Sequence, residues 1–343
     1  MAEKLGVIDA QWILRRNASI QKSTPTFSYS TLMTSLIQSI CKLTAERGYT
    51  HIICLWDKGP YKRAQMLEGF KGSRYYASTS DLIEITPEMT EEERLAAEAK
   101  NKEIQAELDY QNTIQMVKYS FIKHMGRFGF HSAIYQGYEA DDLAFYIANY
   151  ITISIPMEFY TLDSDWTYLM SDKCTFHRSH KYHPRDWTYH EAKTEELGDC
   201  ELANRMELIE IGVMKDLYYG GHNDAGSIPA LKQVNFSDAC LLYKDNRLSE
   251  KLTPEELEDF NNHFKAMDAR THFTEDVKNY LVGQLNEDFD KVHSMTWDDF
   301  AFKKNINITS GYYNKFQYSQ VHSQIADCIE IQESADLMPI DLD

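Results

Sequence analysis

The 343-residue chain has no apolar run near the roughly 18 residues that a membrane span requires. Its opening, Met1-Ala2-Glu3-Lys4, lacks the layout of a signal peptide, so a soluble cytoplasmic protein is expected. The six cysteines (Cys41, Cys54, Cys174, Cys200, Cys240, Cys328) include no CxxC pair, which argues against zinc ribbons and a disulfide framework and reads as reduced thiols. No internal repeat is present. Positive charge is scarce: 35 Lys and Arg stand against 53 Asp and Glu, a net charge of −18. Taken alone, that balance disfavours a nucleic-acid partner, because phosphate binding needs a basic footprint. Net charge is a sum, however, and a local basic patch coexists readily with acidic surface helices.

What is present is an alternation of short apolar runs and helical patterns. Lys4–Asp9 reads as a buried strand ending in Asp9, followed by a polar loop. Tyr29–Arg47 carries Leu32, Leu36, Ile40 and Leu43 at helical spacing and closes on Gly48. His51–Asp57 repeats the strand pattern and ends in Asp57. Two apolar strands joined by a helix make a βαβ unit and hence a parallel sheet. Strands near Ala133–Tyr135 and over Met157–Leu162 extend it, giving an α/β fold. A core over residues 1–200, with a long insert at 58–128, is expected to precede a helical domain over 201–328 and an acidic tail over 329–343.

Acidic residues follow each of these strands. The stretch Gly137-Tyr138-Glu139-Ala140-Asp141-Asp142 opens a helix near Tyr138 whose apolar stripe is Leu143, Ile147 and Ile151. Leu162-Asp163-Ser164-Asp165 closes the next strand. One carboxylate at a helix N-terminus is ordinary; three of them facing two more call for a cation, and oxygen-only donors suit Mg²⁺ or Mn²⁺. Glu139 and Asp142, three apart, share a helix face, while Asp141 points elsewhere; Asp163 and Asp165 point the same way. Asp9, Asp57, Glu139, Asp141, Asp142, Asp163 and Asp165 all fall at strand carboxyl ends, where open α/β sheets bind ligands. The alternative is a set of solvated acidic turns.

The insert opens with Lys58, Lys62, Arg63, Lys71 and Arg74 among Tyr61, Phe70, Tyr75 and Tyr76, a mixture suited to tracking a phosphate backbone and stacking bases. Thr90-Glu91-Glu92-Glu93 is a capping box for an acidic helix to about Glu107. Ile114, Val117, Phe121 and Met125 mark a second, better-buried helix. The histidines of His177–His183 match no closed zinc spacing and read as a basic loop. Further on, Glu201–Tyr219 is helical, Gly220-Gly221 breaks it, and Asn235 or Ser237 caps a helix through Tyr243. Helix, glycine turn and helix suit a clamp on a duplex backbone, and suit plain helical packing equally. Helices continue through 253–304, and the acidic end from Glu330 reads as a loose tail.

These features resemble the 5′-nuclease superfamily of flap endonucleases, 5′-exonuclease domains and ribonuclease H-type phage enzymes. Gly137–Asp142 is similar to its Gly-aromatic-Glu-Ala-Asp-Asp block, Thr161–Asp165 to its Ser-x-Asp-x-Asp strand end, Asp9 and Asp57 to its two N-terminal acids, and Phe70–Arg74 to its aromatic-Lys-x-x-Arg signature. Asn223–Ile228 keeps one acid, Asp224, of the family's Gly-Asp-x-x-Asp-Asn-Ile, and no glycine hairpin follows. The resemblance implies a PIN-like core with a helical arch over 58–128, and a C-terminal domain with a helix-turn-helix-like element. It also implies a monomeric nuclease that uses two Mg²⁺ or Mn²⁺ ions on DNA bearing a 5′ flap, a nick or an RNA primer, in a host cytoplasm if viral. Asp9, Asp57, Glu139, Asp141, Asp142, Asp163, Asp165 and Asp224 would hold metal, Lys71 and Arg74 would orient the scissile phosphate, and Lys62 and Arg63 would contact nucleic acid. A sliding clamp or single-strand-binding protein is the partner implied for the tail.

Two other readings differ in class. Asp163-Ser164-Asp165-Trp166-Thr167 looks like the nucleophile motif of haloacid-dehalogenase-type phosphatases, but in those the nucleophile strand comes first, and here the Asp141-Asp142 pair precedes it. A non-catalytic nucleic-acid-binding replication factor fits the reduced Asp224 region.

Overall fold

A computed structural model of the chain describes residues 3–59, 61–67, 77–163, 166, 174–178, 185–188, 205–219, 228–285, 301 and 329–330. Strands β1 (Leu5–Asp9) and β2 (His51–Trp56) are buried along their whole lengths, as apolar strands are when a parallel sheet is covered on both faces. β1 lies between β2 and β5 (Met157–Thr161), β2 pairs with β3 (His131–Ile134), and β5 pairs with β6 (Cys174–Arg178), all in parallel. β7 (Arg185–Thr188) adds an antiparallel edge, giving the order β3-β2-β1-β5-β6-β7. The register sets Asp9 against Leu55 and Ile8 against Tyr160, so the carboxyl ends of β1, β2 and β5 share one edge.

Alternate side chains of the strands enter two cores. On one face Ile8, Cys54 and Trp56 pack with α1 (Ala10–Gln21), α2 (Tyr29–Arg47) and the C-terminal part of α4 (Glu91–Met125), through Leu14, Leu36 and Phe121. On the other, Val7, Leu55 and Phe159 meet α5 (Ala140–Tyr150) and α9 (Glu275–Leu285), through Phe145, Ile147 and Leu281. A third core joins α6 (Arg205–Tyr219), α7 (Phe236–Lys244) and α8 (Pro254–Met267) around Met214, Leu231 and Phe260, and takes in Leu67, just after the short α3 (Lys62–Met66).

Several local expectations differ from this fold. The polar loop expected after β1 is helix α1. Ala10, Ile13, Leu14 and Ala18 form its buried stripe, and the Asp9 carboxylate caps it by accepting the Trp12 N–H at 2.8 Å. The two helices expected from Glu91 onward are one 35-residue helix, about 52 Å long at 1.5 Å per residue. No Gly or Pro interrupts 91–125, so the change from a solvated to a buried face leaves the backbone unbroken. The helix expected at Tyr138 begins at Ala140, with Glu139 as its N-cap. His177, read as part of a loop, lies in β6 with its ring stacked on Tyr160 at 5.3 Å. Ile329–Glu330 (β8), at the junction with the expected tail, pairs antiparallel with Thr152–Ile153 (β4). Helix α2 ends where expected, at Gly48 in the left-handed conformation, and Asn235 caps α7. Among the described residues no helix is long and apolar enough to cross a membrane.

The amino-terminal edge of the sheet is closed by one buried carboxylate. Glu158 of β5 receives Arg47 Nε at 2.7 Å, Lys4 Nζ at 2.8 Å and the Tyr49 hydroxyl at 2.6 Å. Burial opposes its charge, but these donors hold its pKa down at about 2. Tyr49 lies directly over Gly6, where a Cβ would stand 2.5 Å from the ring.

Candidate active site

The other edge of the sheet collects the acids. Asp9 ends β1 and is buried, with one oxygen on the Trp12 N–H and the other on the Thr161 hydroxyl at 2.9 Å. Asp57 follows β2, and its Oδ1 accepts the Ala140 N–H at 2.9 Å, at the start of α5. That start is a favourable place for an anion, since the first amides of a helix point outward and its dipole is positive there. Asp141, one residue on, accepts the indole N–H of Trp166. The Asp9 carboxyl is pushed well above the usual range by burial, then by the negative charge of Asp141, with a further contribution from Asp57. Asp141 and Asp57 thus stand within electrostatic range of Asp9 at this edge.

Glu139 and Asp142 behave differently. Arg63, buried on α3, donates Nη1 to Glu139 at 3.2 Å and Nη2 to Asp142 at 2.5 Å, and Asp142 also accepts the Glu139 N–H at 3.0 Å to complete a capping box. These two share a face, as their spacing predicts, but that face meets a guanidinium, whereas Asp141 accepts the Trp166 indole N–H and acts on the charge of Asp9. Arg63, expected at a nucleic-acid surface, is correspondingly 7% exposed. The residue that brings it there is Gly137, at φ 93°, a conformation that side chains disfavour. The turn it makes exchanges backbone hydrogen bonds with Lys58 and receives the Lys62 N–H, fixing the start of the insert against the α5 N-terminus. Lys62 donates Nζ to the Tyr138 hydroxyl at 2.6 Å. Asp163, past the end of β5, is exposed, and its N–H bonds the Thr161 hydroxyl at 3.1 Å, so Thr161 ties the Asp9 and Asp163 segments together. Lys71, Arg74, Asp165 and Asp224 lie outside the described residues.

A carboxylate-only donor set fits a hard divalent cation. Asp141 and Asp57 each act against the charge of Asp9, a repulsion that a cation would relieve. Among the described residues no three His, Cys, Asp or Glu side chains converge closely enough to hold an ion.

Beside Asp57 opens a cavity of about 490 Å³ lined by Gln11, Arg15, Lys58, Tyr61, Lys118 and Tyr119 among others. Lys118 is buried, and its ammonium is held by the Asp57 carbonyl oxygen. Burial lowers its pKa to about 8; Asp57 resists this, and the charges of Arg15 and Lys58 add to it. This is the local basic patch that an overall charge of −18 obscures. Of its cations, Arg15 and Lys118 were not singled out from the sequence. The signal for Lys118 was there, a charge on the apolar stripe of α4, four residues after Ile114 and three before Phe121.

No protein-family model matches the chain, and no curated protein matches it in sequence. Solved structures do. The T5 D15 protein co-crystallised with metal ions superposes with a TM-score of 0.52 at 14% identity, covering 82% of this chain and 98% of that one. The bacteriophage T5 5′-exonuclease with bound zinc gives a TM-score of 0.48 at 16% identity, covering 95% and 99%. The catalytic core of Rad2 in complex with DNA substrate gives 0.39 at 14%, covering 84% and 89%. At the level of the fold, this chain shares the α/β architecture of the T5 D15 protein.

Proposed function

We propose that the chain is a divalent-metal-dependent 5′-nuclease that hydrolyses phosphodiesters at or near the 5′ ends of flapped, nicked or RNA-primed DNA. The observation that supports this reading is the placement of Asp9, Asp57 and Asp141 just past strand ends and at the α5 start on one sheet edge, where Asp141 and Asp57 both act on the Asp9 charge, in a sheet with this fold. Asp9, Asp57, Asp141 and Asp163 are assigned to one Mg²⁺ or Mn²⁺, and Asp165 and Asp224 to a second. A divalent cation, when bound, supplies Lewis acidity for the hydrolysis. The chain's own residues do the positioning. Thr161 and the α1 N-terminus hold the Asp9 carboxylate, the α5 N-terminus holds Asp57, and Arg63 locks Glu139 and Asp142 so that the helix start bearing Asp141 is rigid. Lys71 and Arg74 are assigned to orienting and neutralising the scissile phosphate.

The pairing of both Glu139 and Asp142 with Arg63 adds to the reduced Asp224 region in favouring the second reading, a nucleic-acid-binding replication factor with a weakened metal site. One assay separates the two. A 5′-labelled flap, a nicked duplex and an RNA–DNA hybrid are incubated with Mg²⁺, with and without EDTA. Short products from the 5′ end, lost with chelator and in Asp163→Ala and Asp9→Ala, are expected. Binding with all three substrates intact would establish the non-catalytic reading.

A further inference from the structure

Trp166 follows Asp163 by three residues and is fully buried. A tryptophan taken wholly out of water has to place its indole N–H on an acceptor, or that donor is left desolvated. A hydroxyl or a main-chain carbonyl would satisfy packing alone; Trp56, equally buried, gives its N–H to the Ser132 hydroxyl at 3.3 Å. The Trp166 donor goes instead to a carboxylate oxygen of Asp141, at the start of α5. Phe159 of β5 holds the ring edge to face, at 5.8 Å and 80°, and both rings belong to the core between the sheet and α5. The donor is therefore fixed in place by packing.

A neutral donor does something that a guanidinium does not. Arg63 pairs with Glu139 and Asp142 and offsets their charge, and it feels the charge of Asp141 as well. The indole N–H, which carries no charge, orients the Asp141 carboxylate without cancelling it. A hard divalent cation takes oxygen ligands that are still charged, and it binds best to ligands already held in one orientation. The same hydrogen bond also joins two segments 25 residues apart, the chain that leaves β5 past Asp163 and the α5 start that bears Asp141.

We propose that Trp166 is a positioning residue for the divalent cation, its indole N–H setting the orientation of the Asp141 carboxylate and tying the Asp163 segment to the α5 start. The cation itself rests on the nuclease reading. Removing a group that holds a metal ligand costs roughly 10–100-fold in metal affinity or activity.

The test is calorimetric titration of the full-length protein with Mg²⁺ in the absence of nucleic acid, run beside cleavage of the 5′-labelled flap. Trp166→Phe keeps a ring against Phe159 and loses the donor. It is expected to bind Mg²⁺ about tenfold or more weakly than the parent, and its cleavage rate should approach the parent's as Mg²⁺ is raised. Equal Mg²⁺ affinity, with or without a lower melting temperature, would make Trp166 a packing residue only and overturn the inference, leaving the nuclease reading standing. A parent that neither takes up Mg²⁺ nor cleaves would overturn both. If Trp166→Phe fails to fold, the indole N–H resonances of the nitrogen-labelled parent decide. The signal that Asp141→Asn displaces should move when Mg²⁺ is added to the parent, and a signal indifferent to Mg²⁺ overturns the inference.

Discussion

Replacing Arg63 by Met removes the guanidinium that pairs with both buried carboxylates, Glu139 and Asp142, which are 2% and 3% exposed. Breaking a buried ion pair by deleting one partner costs about 3–5 kcal/mol, because the remaining charge stays desolvated. Here two acids lose one guanidinium, so the upper part of that range applies. For a chain of this size that corresponds to a fall in Tm of roughly 5–7 °C, measured by differential scanning calorimetry at pH 7. Arg63→Lys should fall between parent and Arg63→Met, since one ammonium cannot reach both carboxylates with the fork that Arg63 uses. Adding Asp142→Asn to Arg63→Met should recover part of the loss, as one uncompensated charge is then gone. Melting of Arg63→Met within about 2 °C of the parent, or no difference between the Met and Lys variants, would refute the assignment of Arg63 as the internal counter-ion of the α5 start. The same variant should lose nuclease activity, because Asp141 sits within the turn that Arg63 fixes.

Glu158→Gln tests the opposite edge. A carboxyl whose folded pKa is about 2 against an ordinary 4.5 contributes stability above pH 4.5 and loses it as pH falls toward 2. The variant should therefore be about 3 kcal/mol less stable at pH 7, at about 1.4 kcal/mol per pH unit, with the gap to the parent closing in acid denaturation curves between those two values. Asp9→Asn should raise the melting temperature in EDTA, since it removes a buried charge repelled by Asp141 and Asp57, and should abolish Mg²⁺-dependent cleavage; a lower melting temperature would contradict the crowding described at this edge. Gly6→Ala drives a Cβ to within 2.5 Å of the Tyr49 ring and should cost about 1–3 kcal/mol in urea unfolding, as overpacking of a filled core does.

Much of the fold was legible in the sequence because β1 and β2 are nearly continuous apolar runs, β5 is one interrupted by Glu158, and α2 carries a clear stripe between a loop and Gly48. Helix α1 was not legible as such, since its buried face is built from Ala10 and Ala18 as much as from Leu14, and a polar surface sequence surrounds them. The continuity of α4 was hidden by its change of environment from acidic and solvated to buried. At the site, the acids were identifiable one by one from their places after strands. Local spacing also paired Glu139 with Asp142 correctly.

Partners were another matter. A helical repeat says which residues share a face but not what that face meets, and only the packing of α3 against the α5 start put Arg63 between those two acids and sent Asp141 toward Asp9. The cavity beside Asp57 likewise needs α1, the β2 end and α4 to come together from positions 11, 58 and 118, a closure that no local pattern encodes. The chain's own order of residues thus determined which side chains stand at the sheet edge, because strand and helix periods are local. Which charge answers which was decided by contacts between segments far apart in sequence.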